Sequence, residues 1–471
     1  MFSIDVLQLE ELSRQGNMVS LAAQIPSDTE TPISLYYKLC KDRTYSFLLE
    51  SAEQDARMGR YSFIGFDPLE IFKFDEGDKN PLEMIRAAMD KIQLVEMEKT
   101  GRFESGFVGY FSYEVMRHFE KISMPAQASA SGIPESIFYL PRVVIVFDHI
   151  KHKVYLHYLM SLEGDLSENL KEANVVGEEI LQQLAQPMVV PFLRNPKSEI
   201  PANVELNPSR NDFIEQVAVA KSFIESGDIF QVVLSHSMEA KTEKSPLELY
   251  RALRQENPSP YMYLMQFEDF AVVGASPETL VRLEDGNVLV RPIAGTRHRG
   301  VTTEEDKQLE EELKNDPKER AEHMMLVDLG RNDVGRVAKQ GTVTVPEMAY
   351  VQRFSSVMHL VSDVSGIIRD DKDMFDVFEA SFPAGTLSGA PKIRAAEIIA
   401  SLERRQRGIY GGAVGYFGLN GNMDFAIAIR TLIHKNGTAY VQAGAGVVYD
   451  SIPQKEHEEC FHKAAACLSV L

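Results

Sequence analysis

Two Glu-x-x-Glu pairs are the residues whose type and spacing bear most directly on chemistry. Glu319 and Glu322 lie in NDPKERAEHMMLVDL, where Asp316 can cap a helix that Pro317 begins. Glu456 and Glu459 lie in PQKEHEECFHKAAA, again just after a proline. A spacing of three sets both carboxylates of a pair on one helical face. Two such helices facing each other suit a hard cation, because Mg²⁺ takes a few carboxylate oxygens together with water and substrate oxygens. The same pattern also describes solvated acidic helix starts. His457, Cys460 and His462 do not match a zinc spacing.

A second group has the composition of an anion site. In FPAGTLSGAPKIRAAEII, residues Gly385, Thr386, Ser388 and Gly389 form a hydroxyl-bearing turn. Pro391 is placed to begin a helix through Lys392 and Arg394, whose free N–H groups and bases would favour a carboxylate or phosphate. A capped loop before a surface helix is the plainer reading. RPIAGTRHRG reads as a carboxylate clamp or as a surface turn. In DLGRNDVGRV, Arg, Asn and Asp fill a helix-terminating loop. Glu278, just ahead of a strand in GASPETLVR, is placed to act as a general acid. His359 sits between apolar residues on a strand, where a histidine is most often part of the core. Gly444 and Gly446 in QAGAGVVYDS allow a ligand close to a strand backbone, or mark a bulge.

The elements that must position these residues are short and mixed. YSFLLES, YSFIGF, FESGFVGYFSYE, VVIVFDH and KVYLHYL read as strands, with helices near 80–98 and 165–186. Spaced prolines between 186 and 209 read as a linker. It separates residues 1–185 from 210–471, where hairpin-like strand spacing recurs around a helix over 303–329. The spacing predicts an α+β fold, a layered α/β sandwich with two mainly antiparallel sheets covered by helices. GFVGYFSY near residue 106 echoes GAVGYFG near residue 412.

Composition narrows the function. The chain has 471 residues and a formal net charge of −20, which argues against a general nucleic-acid or membrane-surface binder. Its three cysteines, Cys40, Cys460 and Cys467, have no disulfide-framework spacing, and no apolar run reaches membrane-spanning length. The start carries acids where a signal peptide carries bases, so a cytoplasmic location is expected.

Singly these features are weak; their order is specific. FQVVLS, GASPET, RPIAGT, AEHMMLVDLGRND, VMHLVS, GTLSGAPK, YGGAVGYFG, AIRT, GAGVVYDS and the final Glu-rich helix follow one another. This series resembles the chorismate-utilising enzymes, most closely the anthranilate synthase component I family. The resemblance covers nearly the whole chain and is densest from about 205 to 470.

The resemblance implies a first committed step of tryptophan biosynthesis. Chorismate and ammonia become anthranilate and pyruvate through aminodeoxyisochorismate. It implies Mg²⁺ between the ring carboxylate and Glu322 and Glu459, with Glu319 and Glu456 supporting the metal through its waters. Glu278 matches the acid that protonates the departing hydroxyl, and His359 matches a residue tied to pyruvate elimination. Tyr410, Arg430, Gly444 and Gly446 match contacts to the enolpyruvyl side chain. Thr386, Gly295 and Thr296 match the lining of the ring and the nucleophile position, and Lys392 is taken with the substrate-binding set.

Two residues separate the branches. Water-using relatives carry lysine at Gln231, where it activates water, so an amide fits an ammonia user. Many 4-amino-4-deoxychorismate synthases carry a nucleophilic lysine at Ala294, which a methyl group cannot replace. The rival readings are that folate-branch enzyme and a catalytically silent amino-acid-binding regulator. The latter predicts loss of Glu278, Glu322 or Glu459, and all three remain.

For the N-terminal half, residues 1–185, the resemblance implies a regulatory role in feedback inhibition by tryptophan. Leu49, Glu50, Ser51, Asn257, Pro258, Tyr261 and Met262 match the inhibitor-binding segments. TRHRG and ECFHKA depart slightly from the family's usual patterns beside the proposed ligands. No cysteine has the setting of a glutaminase nucleophile. The resemblance therefore implies a separate glutamine amidotransferase subunit, component II, in a heterotetramer.

Overall fold

The two longest strands carry the architecture. In the computed structural model, which describes every residue except 27, 53–58, 96, 98, 189–199, 202 and 354–356, Tyr61–Phe74 and Ser136–Asp148 pair antiparallel along their lengths. Pro68 and Pro141 fall opposite each other where the register shifts. A proline gives no N–H to the ladder, so the pairing is interrupted there.

Two arms of strands leave this pair. On one side Tyr61–Phe74 pairs with Ser46–Glu50, followed by Tyr261–Gln266, Phe270–Ser276, Thr431–Lys435, Thr438–Val447 and Gln231–Lys241. On the other, Ser136–Asp148 pairs with Gly106–Phe111, followed by Ala413–Gly418, Met423–Ile427, Thr279–Glu284, Asn287–Val290 and Val357–Ile367. The echoed segments near 106 and 412 are thus neighbouring strands, with Gly109 opposite Gly415. Among the described strands only the pairing of Met18–Ile25 with Leu94–Val95 is parallel.

The fold is mixed α+β with a large, mainly antiparallel sheet. The expected two sheets are one hydrogen-bonded network among the described residues, because the two long strands, one heading each arm, pair with each other. An aromatic-rich core draws Phe47, Phe63, Tyr263 and Phe270 from the first arm and Val108, Tyr110, Val414 and Tyr416 from the second. Helices Pro32–Cys40, Leu166–Leu184, Pro246–Glu256 and Pro453–Leu468 share another core with first-arm strands. Pro317–Gly335 and Met374–Ser381 share a third with second-arm strands.

Several expected elements differ in extent. The helix expected near 80–98 covers only Pro81–Met89, and Leu94–Val95 is a strand. The helix expected over 303–329 is two, Thr303–Asn315 and Pro317–Gly335. Asp316 is extended because the residue before a proline avoids the helical region, and its carboxylate caps the second helix. That helix continues through Gly335, so most of DLGRNDVGRV is helical rather than loop. Pro391 caps Lys392–Leu402 instead of opening it. Most of the expected linker, 189–199 and 202, lies outside the described residues. No helix of the described residues is long and apolar enough to cross a membrane.

Candidate active site

One cavity of about 1100 Å³ collects almost every residue singled out in the catalytic region. Its walls come from distant segments. Gln231 starts one strand, and Gly444 and Gly446 lie on the neighbouring one, opposite Ser235 and Val233. A Cβ on Gly444 would stand 2.5 Å from the Tyr410 hydroxyl, and one on Gly446 would stand 2.6 Å from Gln231 Nε2. Both glycines are therefore required for close approach.

Glu278 occupies the connection between Phe270–Ser276 and Thr279–Glu284. Its carbonyl accepts from the Ile427 N–H at 3.0 Å. Burial pushes the Glu278 carboxyl up to about 7, opposed by Thr386, Lys463 and Arg430. Thr386 Oγ1 is buried without a hydrogen bond of ordinary geometry, so its pull on Glu278 is that of a nearby dipole. An acid held there is protonated near neutrality and can give its proton to a leaving group.

His359 stands opposite Thr296 in the strand register, beside an irregularity that brings Gly295 to φ +64. The Gly295 carbonyl can only accept, so His359 Nδ1 carries a proton and donates to it at 2.9 Å, with Thr296 Oγ1 at 3.1 Å. Burial lowers the imidazole pKa, Gly295 raises it and Arg430 lowers it further. The ring is thus held neutral, with Nε2 as its basic nitrogen. Arg430 has no carboxylate within ion-pairing distance among the described residues, and burial lowers its pKa. A half-buried, unpaired guanidinium lining a cavity suits an anionic ligand.

The two glutamate pairs line the same cavity. Burial raises the Glu322 carboxyl, Glu319 raises it further, and the Gln231 amide and lysines 318 and 463 lower it. Burial also raises Glu456; Ser451 lowers it, Glu459 raises it, and lysines 463 and 318 lower it. Each helix thus sends a lysine field onto the other's glutamate, which places the two faces toward each other. Crowded carboxylates raised by burial and by one another fit a dication. Among the described residues no three such side chains converge as a complete protein cage. Mg²⁺ does not require one, since it keeps several water or substrate oxygens.

Other sequence expectations meet corrections. Lys392 does not line the cavity; its Nζ donates to Asp333 at 2.9 Å. Arg394 pairs with Asp228 and Glu397, so the anion site expected from these bases does not form. The RPIAGTRHRG bases are likewise engaged: Arg291 with Asp363, Arg299 with Asp306, and Arg297 with Glu312, Asp316 and Glu319. Ile293, Ala294, Gly295 and Thr296 carry that segment's lining role.

The inhibitor-segment residues divide between two cavities. Asn257 and Pro258 line the large one. Leu49, Glu50, Ser51, Tyr261 and Met262 line a smaller pocket with Arg102, Arg282 and Asp424. Glu50 and Met262 are direct strand partners, and the Glu50 carboxylate accepts from the Tyr250 hydroxyl and pairs with Arg254 at 3.3 Å.

Lys463 was not singled out from sequence, yet it bridges Glu459 at 2.7 Å and the Gly444 carbonyl at 3.0 Å. Its spacing of four from Glu459 was the available signal. A buried network behind the site gave no local signal. Arg407 donates to Glu403, to the Leu387 carbonyl at 2.8 Å and to the Val233 carbonyl at 2.7 Å. Glu403 also accepts from Ser235.

The chorismate binding enzyme family matches residues 44–469. Anthranilate synthase component 1 of Acetivibrio thermocellus is 43% identical, over 100% of this chain and 99% of that protein. That of Aquifex aeolicus is 41% identical, over 100% and 98%. The crystal structure of anthranilate synthase component I from Streptococcus pneumoniae superposes with a TM-score of 0.79 at 36% identity, covering 94% of this chain and 98% of that one. The chain belongs to the chorismate binding enzymes and, within them, to the anthranilate synthase component 1 family.

Proposed function

We propose that this cavity turns chorismate and ammonia into anthranilate and pyruvate, and that Glu278 is the acid that lets the ring hydroxyl leave. The single observation carrying the reading is Glu278, buried with a carboxyl near 7 and sharing one cavity with Arg430, His359 and both glutamate pairs. Hydroxide is a poor leaving group, so its departure requires a proton delivered in step. As ammonia adds at C2, Glu278 gives that proton to the C4 oxygen, which leaves as water. Gln231, an amide, supplies no base, and uncharged ammonia needs none. His359 Nε2 then serves the elimination, in which the C2 proton is lost, pyruvate departs and the ring becomes aromatic.

Arg430, Tyr410 and the backbone at Gly444 and Gly446 hold the enolpyruvyl side chain, while Gly295, Thr296 and Thr386 line the ring. Mg²⁺ held by Glu322 and Glu459, with Glu319 and Glu456 behind them through water, would offset the ring carboxylate's charge. Lys392 is not carried into this set, because Asp333 engages it. Ala294 favours direct attack at C2 over a covalent route through an amine.

The N-terminal residues serve regulation on this reading. Leu49, Glu50, Ser51, Tyr261 and Met262 form the tryptophan pocket, and Asn257 and Pro258 join it to the catalytic cavity. The two arms of the sheet are the facing layers of an α/β sandwich, supported by their shared aromatic core. The name component 1 supports a second component, a glutaminase supplying ammonia, in the cytoplasm. The test is to incubate the purified chain with chorismate, Mg²⁺ and an ammonium salt and to identify products by fluorescence and mass. Anthranilate with pyruvate is expected. An amino-chorismate without pyruvate would move the chain to the folate branch.

A further inference from the structure

Glu278 sits on a short turn, and a side chain rooted in the other pocket anchors that turn. Tyr261 lines the smaller pocket and is the strand partner of Ser276, two residues before Glu278. Its hydroxyl lies 2.9 Å from Thr279 Oγ1, on the residue directly after Glu278. The same hydroxyl donates to Asp424 Oδ1 at 2.8 Å and accepts from Arg282 Nη2 at 3.1 Å. With its proton given to Asp424, the Tyr261 oxygen receives the Thr279 O–H. Arg282 and Asp424 are themselves paired at 2.6 Å, so the Tyr261 hydroxyl is held from three directions.

The turn is a place where such an anchor matters. The pairing of Thr279–Glu284 with Met423–Ile427 shifts register between Thr279 and Val281. An irregularity of this kind re-aims the neighbouring side chains. Ser276 Oγ donates to the Ile427 carbonyl at 2.6 Å, and the Glu278 carbonyl accepts from Ile427 N–H. The backbone before and at Glu278 is thereby tied to one strand, while Thr279 is tied through its side chain to Tyr261.

We propose that the Tyr261–Thr279 hydrogen bond positions the Glu278 carboxyl for proton donation, and that an amino acid bound in the Tyr261 pocket inhibits by shifting this bond. The second half rests on the tryptophan-pocket reading above; the first rests only on the reading of Glu278 as the acid. Tyr261 and Thr279 are positioning residues. The charged groups acting on Glu278 are Lys463 on the last helix and Arg430; Arg291 and Asp333 share the small cavity behind it, and His359, Lys318, Glu319, Glu322, Glu456 and Glu459 are among the titratable groups that share the main one.

The test uses Tyr261→Phe, Thr279→Val and Thr279→Ser in the full chain, assayed with chorismate, Mg²⁺ and ammonia. Tyr261→Phe and Thr279→Val each break the bond while the Arg282–Asp424 pair stays. Each is expected to lower kcat about tenfold with the chorismate KM within about twofold. The alkaline limb of the pH profile should move to lower pH, because a loosened carboxyl gains water. The double variant should be no worse than either single one, since both remove the same bond. Thr279→Ser keeps the hydroxyl and should restore wild-type kcat and pH profile. Unchanged kcat and limb in both single variants, or Thr279→Ser behaving as Thr279→Val, would overturn the positioning role.

Calorimetric titration with tryptophan separates the two halves. Thr279 does not line the smaller pocket, so Thr279→Val should bind tryptophan at least as tightly as the wild type, since no bond has to be shifted, yet lose less activity to it. Failure of tryptophan to bind the wild type would overturn the inhibitor half and leave the kcat and pH results to decide the other. Wild-type affinity with wild-type inhibition in Thr279→Val would overturn the coupling.

Discussion

Gly446 and Gln231 touch across two antiparallel strands, so closely that a Cβ on Gly446 would stand 2.6 Å from the Gln231 amide nitrogen. The Gln231 amide also lowers the Glu322 carboxyl. One missing methyl thus sets the place of a side chain that reaches a proposed metal ligand. Gly446→Ala is expected to push Gln231 off Glu322 and reduce kcat/KM for chorismate at least tenfold. The melting temperature should stay within a few degrees, because the cavity leaves room for the amide to move. Steady-state kinetics beside a thermal melt would check this, and an unaffected kcat/KM would remove Gln231 from the site.

Glu278 gives a prediction with a sign for both rate and stability. As the proposed acid it must be protonated to act, and burial holds the carboxyl near 7. At fixed free ammonia, kcat/KM should therefore fall as pH rises past about 7. Glu278→Gln should lower kcat at least a hundredfold while chorismate still binds. Stability should move the other way. A carboxyl whose folded pKa is raised destabilises the fold as pH climbs from its unfolded value of 4.5 toward 7. The glutamine variant escapes that cost. It should melt several degrees higher than wild type at pH 8, on the order of 3 kcal/mol, with the advantage gone near pH 4. Equal melting curves at pH 8 would show that the carboxyl is better solvated than its burial indicates.

The glutamate pairs predict metal dependence with a binding readout. Glu322 and Glu456 are raised by burial and by their neighbours Glu319 and Glu459, so protons compete with a cation for these groups. Chelation should abolish activity, and millimolar Mg²⁺ should raise the melting temperature of the chain alone. That shift should shrink as pH falls. Glu322→Gln should remove it, whereas Glu319→Gln should weaken it, since Glu319 is already held by Arg297 at 3.1 Å. A magnesium shift undiminished in Glu322→Gln would place the cation elsewhere.

What the sequence disclosed follows from how local each determinant is. Asp316 before Pro317 marks a helix start within three residues, and the structure has it. The i, i+3 glutamates share a face by helix geometry alone. The motif order brought Gln231, Glu278, His359 and Arg430 onto one list, and the structure sets them around one cavity. Lys392 failed for the opposite reason. Its proximity to a glycine-rich turn suggested an anion, but Asp333, remote in the chain, takes its charge. The union of two expected sheets was equally hidden, because pairing the strand that heads one arm with the strand that heads the other is a tertiary choice. The Tyr261–Thr279 bond and the Arg407 network belong to the same class.

The Arg407 network yields the last prediction. Its guanidinium and the Glu403 carboxylate are both buried, and between them they hold the carbonyls of Leu387 and Val233 and the backbone and hydroxyl of Ser235. These lie beside Thr386, near Gln231 and opposite Gly444, so one ion pair fixes three walls of the cavity. Removing one partner strands the other's charge in the interior, which costs about 3 to 5 kcal/mol. Glu403→Gln is expected to lose that amount in urea denaturation and to raise the chorismate KM together with a fall in kcat, since every wall shifts at once. Replacing both residues, Glu403→Leu with Arg407→Met, removes the stranded charge. It should recover part of the stability but none of the activity, because the carbonyls of Leu387 and Val233 still lack their donor. Recovery of activity in the double variant would show that the pair serves folding alone.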